Sequence, residues 1–179
     1  MAMNIFNLFI ENARKRNINF HFRSDLKDEL FPVDRMYLET ILMNLLSNAF
    51  KFTPDGGEIS LSLWKKEAVY GFTIRDNGIG IPEEKLSRIF ERFYQVDDSQ
   101  KGSGIGLSLV KLLIDKHRGT IEVASEIGKS TEFRVILPAD IHIFPAEEQK
   151  QDTETTFTLS EPMYSPMDVS YMGEVAVNT

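Results

Sequence analysis

The chain has 179 residues, 42% hydrophobic and 26% charged, the proportions of a soluble globular domain of ordinary size with some chain to spare. It contains no cysteine, which excludes disulfides, thiol catalysis and thiolate metal sites. The net charge of −7 sits entirely in the tail: Asp140 to Thr179 holds eight acidic residues and one lysine, while the preceding 139 residues hold 19 of each sign. No basic face is implied, so nucleic acid is not an expected partner. No run of about 18 apolar residues and no basic-then-apolar leader occurs, so no membrane contact is expected of this chain.

Met1-Ala2-Met3 reads as a cloning remnant. From Asn4 to Lys15, Ile5, Phe6, Phe9, Ile10 and Ala13 recur at amphipathic-helix spacing, and Ile18 to Phe22 alternates as a strand does. Asp34 is the expected N-cap of a long helix, with Val33 and Leu38 placed as a hydrophobic staple. That helix, Met36 to Lys51, is apolar at Leu38, Ile41, Leu42, Leu45, Leu46, Ala49 and Phe50. At about 100° per residue, Asn44, Asn48 and Lys51 fall into one narrow polar stripe.

Pro54-Asp55-Gly56-Gly57 is a turn. Glu58 to Trp64 turns Ile59, Leu61 and Leu63 to one side, and Val69 to Ile74, with Tyr70, Phe72 and Ile74, is its hairpin partner. The second strand runs straight into Asp76-Asn77-Gly78-Ile79-Gly80. Pro82 opens a short helix with Glu83 and Glu84 at its positive end. Tyr94 to Lys101 is polar and aperiodic and reads as a mobile loop. Gly102, Gly104 and Gly106 lead into a helix from Leu107 to His117, apolar at Leu109, Val110, Leu113 and Ile114, with Gly119 where a glycine cap would stand. Thr120 to Ser125 and Thr131 to Leu137 read as closing strands ended by Pro138. The expected fold is a two-layer α/β (α+β) sandwich with mostly antiparallel strand neighbours. From Asp140 to Thr179 the periodicity fails, and this acidic stretch reads as a linker or tail. Phe157, Tyr164 and Tyr171 either dock on the body or a neighbour, or ride on a disordered tether.

Two amides one turn apart can hold a metal ion's water shell or phosphate oxygens, and the lysine that follows adds a point charge. Without company, such a stripe is an ordinary solvated helix face. Here two glycine segments keep it company. Asp76, at a strand end before two glycines, can accept a hydrogen bond from an exocyclic amine such as adenine's but not pair equally with guanine's carbonyl; by itself it is a common Asp-Asn-Gly turn. The second segment opens a helix, whose free amides and dipole would face a phosphate, or it is a plain hinge. No GxxxxGK[ST] loop, no kinase HRD or DFG segment and no dinucleotide fingerprint is present. His21, His117 and His142 suggest neither a zinc site nor a triad, and His117 with Arg118 at a helix end reads as a charge complement to the dipole.

In that order, NLLSNAFKFTP, DNGIGIP, IFERFYQVD and GSGIGLSLVK resemble the asparagine box, first glycine box, phenylalanine box and second glycine box of sensor histidine kinase catalytic domains. The resemblance covers about Ile18 to Pro138, and its flavour is that of hybrid two-component sensors of Bacteroides-type bacteria. It implies a Bergerat (GHKL) ATP-binding fold, a mixed, mostly antiparallel sheet on about three helices, with ATP and Mg2+ as cofactors. It implies Asn48 as magnesium ligand with Asn44 beside it, Lys51 on phosphate, and Asp76 on the adenine amine. Gly78 and Gly80 would shape the adenine pocket; Gly102, Gly104, Gly106 and Leu107 would form the lid hinge and phosphate-facing amides. Asn44 and Lys51 are the catalytic candidates. Phe90 and Phe93 either pack near the lid or belong to the core.

The resemblance further implies transfer of the γ-phosphate to a histidine on a separate dimerisation hairpin, and onward to a response-regulator receiver domain. Residues 1–17 would be the connector from that hairpin, 18–139 the ATP-binding domain and 140–179 the acidic linker. The chain would be a cytoplasmic, monomeric piece of a parent anchored in the inner membrane. It departs from the family pattern at Gln95, where many members have arginine, and in a short lid between Phe93 and Gly102. A GHKL-type ATPase is the first alternative, weakened because those relatives usually carry a glutamate base where Asn44 stands. The second is a degenerate module that only binds partners, which would not need Asn48, Asp76 and both glycine segments together.

Overall fold

The computed structural model describes residues 2–26, 34–96 and 103–138. The proposed Val33 staple, lid residues 97–101, Gly102, His142 and the whole acidic tail lie outside the described residues. Five strands form one sheet: β1 (Asn19–Ser24), β2 (Glu58–Lys66), β3 (Val69–Asp76), β4 (Thr120–Glu126) and β5 (Ser130–Pro138), in the order β1-β2-β3-β5-β4. β1 and β2 are parallel and the other three pairs antiparallel. The parallel pair requires a crossover, and α2 (Arg35–Phe52) supplies it. The other helices are α1 (Ala2–Lys15), the single turn α3 (Glu83–Leu86) and α4 (Gly106–Lys116).

α2 is the centre of the core. Ile41, Leu42, Leu45 and Leu46 are fully buried, with Leu38, Ala49 and Phe50 nearly so, which is the apolar stripe read from the sequence. They meet Ile59 and Leu61 of β2, Phe72 and Ile74 of β3, Phe133, Val135 and Leu137 of β5, and Val110, Leu113 and Ile114 of α4 in one cluster. Truncating any of these large side chains to alanine costs about 2–5 kcal/mol, through lost burial and the cavity left behind. α1 joins the same cluster through Ile5, Phe9 and Ala13, and Phe9 stacks on Phe50 with centroids 5.0 Å apart. The helix begins at Ala2, so the N-terminal triplet read as a remnant is partly helical. The other sheet face stays polar, with Arg75, Glu132 and Arg134 on it and Trp64 lying over Gly71.

Two details at the end of α4 differ from the sequence reading. The residue in left-handed conformation is Arg118 (φ 52), not Gly119. The Arg118 and Gly119 amides bond the Asp115 and Ile114 carbonyls at 2.9 Å each, a Schellman cap whose left-handed position precedes the glycine. Gly119 is needed instead for close approach, since a Cβ there would stand 2.6 Å from the Ile136 carbonyl oxygen. His117 does not lie on the surface at the helix end: it is 4% exposed. Its Nδ1 donates to the Leu113 carbonyl at 2.8 Å, and its ring meets Tyr37 edge-on at 5.4 Å. The ring closes the seam between α2 and α4.

Candidate nucleotide site

Asp34 caps α2, its carboxylate accepting from the amides of Met36 at 2.8 Å and Tyr37 at 3.3 Å; such a cap contributes about 1 kcal/mol. Further along the helix, Asn44 Nδ2 donates to the Thr40 carbonyl at 2.8 Å. That bond assigns the amide's orientation and turns Oδ1 toward Gly106, the first residue of α4, where an added Cβ would stand 2.7 Å from it. Asn48, like Asn44, is half-buried, and Lys51 is exposed with Nζ 5.0 Å from the Phe52 ring centroid. α4 begins without a side-chain cap and without an acidic residue in its first turn. Its leading amides and the positive end of its dipole therefore lie beside Asn44, the electrostatic setting of an anion site. Leu107 packs on the core just inside that turn.

At the far end of α2 the first glycine segment is clamped on two sides. Ile79 N donates to the Phe52 carbonyl at 3.2 Å, and Gly78 lies so close that a Cβ would stand 2.5 Å from the same oxygen. Gly80, at φ +71, leaves no room for a side chain against the Glu126 carbonyl. Ile81 N donates to Ser125 Oγ at 2.8 Å.

Asp76 ends β3 with 5% exposure. Its Oδ1 accepts from Gly78 N at 2.9 Å. Burial pushes its carboxyl up to about 6, only partly offset by backbone hydrogen bonds from Gly78 and Thr131. A carboxylate held out of water at such a cost is a candidate for reading a ligand.

α2 thus spans from the start of α4, at Asn44, to the glycine loop, at Phe52. Eight residues at 1.5 Å each make about 12 Å, with Asn48 and Lys51 between. The second glycine segment is held at Gly104 (φ +66), whose carbonyl accepts from Phe93 N at 2.9 Å. Phe90 and Phe93 part company. Phe90 packs on the core, whereas Phe93 is 72% exposed in left-handed conformation at φ +64. Gly102 lies outside the described residues.

Among the described residues no cluster of three or more His, Asp or Glu side chains is placed to hold a metal ion. One concavity, about 510 Å³, lies at the α1–β1 corner. A second, about 360 Å³, reaches Asp76 from the polar sheet face between Arg75 and Lys129. Neither is lined by Asn44, Asn48 or Lys51.

Two residues escaped the sequence reading. Thr131 is the register partner of Asp76, and its Oγ1 lies 3.0 Å from Ser125 Oγ. Ser125 Oγ donates to the Ser130 carbonyl at 2.9 Å while accepting from Ile81 N, so the hydrogen in the hydroxyl pair belongs to Thr131. The available signal was a hydroxyl on the inward side of β5, in line with Phe133, Val135 and Leu137.

The profile of the family described as histidine kinase-, DNA gyrase B- and HSP90-like ATPase matches residues 33–141. The chain belongs to this family. Nucleotide binding comes with that membership. A relative 36% identical over 153 residues is the circadian input-output histidine kinase CikA of Synechococcus elongatus, with 82% of this chain and 20% of that protein aligned. Among solved structures, the catalytic domain of histidine kinase ThkA superposes with a TM-score of 0.70 at 29% identity, covering 78% of this chain and 91% of that one. ThkA in complex with response regulator protein TrrA gives 0.67 at 27% identity, covering 79% and 40%. Full-length ShkA in complex with AMPPNP gives 0.65 at 28% identity, covering 76% and 28%. The fold is the Bergerat fold of histidine kinase catalytic domains, and the chain spans about a fifth of the length of CikA.

Proposed function

We propose that this chain is the ATP-binding catalytic domain of a two-component sensor histidine kinase, binding Mg-ATP and donating the γ-phosphate to a histidine on a separate dimerisation domain. The observation that carries the reading is the arrangement along α2: Asn44 Oδ1 against Gly106 at the start of α4, and the Phe52 carbonyl under the glycine loop that follows Asp76. One helix thereby joins, over about 12 Å of its length, an anion-favouring helix start to the loop that follows a buried carboxylate, the scale of a nucleoside triphosphate. In this reading Asp76 accepts from the adenine amine, and Gly78 and Gly80 give the base its flat surround. Lys51 and the amides of Gly104, Gly106 and Leu107 face the phosphates.

Asn48, with Asn44 beside it, would hold the magnesium ion, which supplies charge neutralisation on the phosphates. The donor chemistry fits, because Asn44 Nδ2 is engaged with Thr40 and leaves the amide oxygen as acceptor for a hard cation that keeps phosphates and waters as its other ligands. The protein's part in the transfer is positioning and charge stabilisation: a histidine nitrogen attacks the γ-phosphorus in line, the bond to the β-phosphate oxygen breaks and ADP leaves. The acceptor comes from elsewhere. His21 is exposed near Glu58 on β1, and His117 is buried at the far end of α4.

Residues 1–17 are proposed as the connector from the histidine hairpin, 18–139 as the ATP domain and 140–179 as the linker beyond it, with a response-regulator receiver as downstream partner. Among the described residues no helix is long and apolar enough to cross a membrane; the parent is proposed to be anchored in the inner membrane with this domain on the cytoplasmic side.

The test is calorimetry of Mg-ATP and Mg-GTP on the chain and on Asp76→Ala. Binding of ATP in the micromolar range, weak for GTP and lost in the variant, is expected. No binding at millimolar ATP would overturn the reading.

A further inference from the structure

α1 contributes no side chain to the proposed nucleotide site, yet a dense polar linkage outside that site starts at Arg16, the first residue beyond it. Arg16 Nη1 donates to the Phe50 carbonyl at 2.5 Å, Nη2 to the Thr53 carbonyl at 2.6 Å and Nε to Asp55 Oδ1 at 2.7 Å. Its own carbonyl accepts from Gly56 N at 2.9 Å, and Asn19 N donates to the Gly57 carbonyl at 2.9 Å. The Arg16 side chain is 29% exposed.

The local sequence explains why a side chain is needed there. The helical partner of the Phe50 carbonyl would be the amide of residue 54, which is Pro54 and has none. Thr53 is the C-cap of α2, so its carbonyl has no donor within the helix either. Arg16 supplies both, and its charge suits the negative end of the helix dipole. α1 itself stops in a fixed way: Asn17 is left-handed at φ 52, and Ile18 N and Asn17 N bond the Ala13 and Arg14 carbonyls at 2.8 and 3.2 Å. The corner therefore has little freedom to absorb a displacement of α1. Between the two carbonyls that Arg16 holds lie those of Lys51 and Phe52, and the Phe52 carbonyl is the one beneath Gly78 and Ile79.

We propose that Arg16 is a positioning residue that couples α1 to nucleotide binding. By fixing the last turn of α2 it fixes the backbone ledge on which the loop after Asp76 rests, so a change in how α1 sits on the sheet alters nucleotide affinity. Coupling of this kind is reciprocal: nucleotide at the site stabilises the seat of α1 by the same factor. The inference rests on the nucleotide reading above and adds to it a route by which the segment leading into the domain regulates the site.

The experiment is amide hydrogen exchange on the whole chain with and without Mg-ATP, alongside calorimetry, for the wild type, Arg16→Gln, Arg16→Lys and Leu63→Ala. Leu63 pairs with Ser24 and Phe72, toward the opposite strand end from Asp76, so its truncation controls for plain destabilisation. In the wild type, Mg-ATP is expected to slow exchange along α1. Arg16→Gln is expected to weaken Mg-ATP about tenfold, the scale of one charge-assisted hydrogen bond. It should also speed exchange at Ile79 and remove the nucleotide-dependent protection of α1. Arg16→Lys, which keeps the charge and one donor's reach, should fall between; should the glutamine variant fail to fold, that intermediate loss decides the matter. Leu63→Ala should leave affinity and α1 protection as in the wild type. Arg16 variants that bind within twofold of wild type and still protect α1, or a Leu63→Ala loss as large as theirs, would overturn the coupling while leaving the nucleotide site standing. A wild type that binds no Mg-ATP overturns the site itself, and the coupling with it.

Discussion

Replacing Asp76 with asparagine should make the empty domain more stable near neutral pH. The carboxyl titrates at about 6 in the folded chain against 3.8 as the ordinary value. The folded state therefore binds more protons than the unfolded state between those values, and stability falls as pH rises through that window. Two units at about 1.4 kcal/mol each make the ionised form cost about 3 kcal/mol above pH 6. In the Asp76→Asn variant the side-chain amide oxygen would still accept from Gly78 N. The new NH2 finds no assured acceptor, which costs about 1–3 kcal/mol and cuts the gain at pH 7.5 to about 0–2 kcal/mol. The decisive quantity is the difference between two pH values, because the cost of the NH2 cancels there. At pH 4.5 the folded carboxyl is protonated and about 1 kcal/mol of the penalty remains, so the advantage of the variant should shrink by about 2 kcal/mol from pH 7.5. Urea unfolding of both proteins at the two pH values measures it, while calorimetry should show Mg-ATP binding lost. An advantage that is the same at both pH values would refute burial of a charge as the cause.

Gly80→Ala combines strain at φ +71 with a clash on the Glu126 carbonyl; a loss of about 2–4 kcal/mol in thermal unfolding is expected, with nucleotide binding weakened further. Asn48→Ala should leave unfolding within about 0.5 kcal/mol of wild type while removing the magnesium dependence of ATP affinity, read by titration with and without the metal. Ser125→Ala strips Ile81 N of its acceptor and should cost about 1–3 kcal/mol, with Ile81 exchanging its amide proton faster.

The features legible in the sequence are those written in local periodicity. The stripe of Asn44, Asn48 and Lys51 follows from helix geometry alone, and the burial of Ile41, Leu42, Leu45 and Leu46 is its complement. Alternation in β2 and β3 gave their inward faces, and Asp34 announced its helix. The features not legible depend on register between distant segments. Thr131 faces Asp76 only because β5 pairs with β3 at that offset, and nothing near residue 131 encodes the offset. Arg16 reads as one more basic residue at a helix end, until the corner brings it to the Phe50 and Thr53 carbonyls 34 and 37 residues away. Gly119 was misread for a related reason. A glycine after a helix suggests a left-handed cap, but here the steric demand comes from the Ile136 carbonyl on a neighbouring strand, and Arg118 takes the strained conformation instead.

The same division explains why the site is costly to hold. The sequence places Asp76 in phase with Tyr70, Phe72 and Ile74, on the inward side of β3, so folding buries its carboxylate as it buries those side chains. The two backbone hydrogen bonds to the carboxylate offset only part of the cost. Leucine or asparagine at this position would relieve the domain of the burden. Neither could accept from an adenine amine with a full negative charge, and neither would reject guanine by leaving a buried acceptor facing a carbonyl. The raised carboxyl and the proposed preference for ATP over GTP are therefore one property seen in two assays. A variant that keeps the preference while losing the pH-dependent penalty would show that the two can be separated, and that Asp76 is not the residue reading the base.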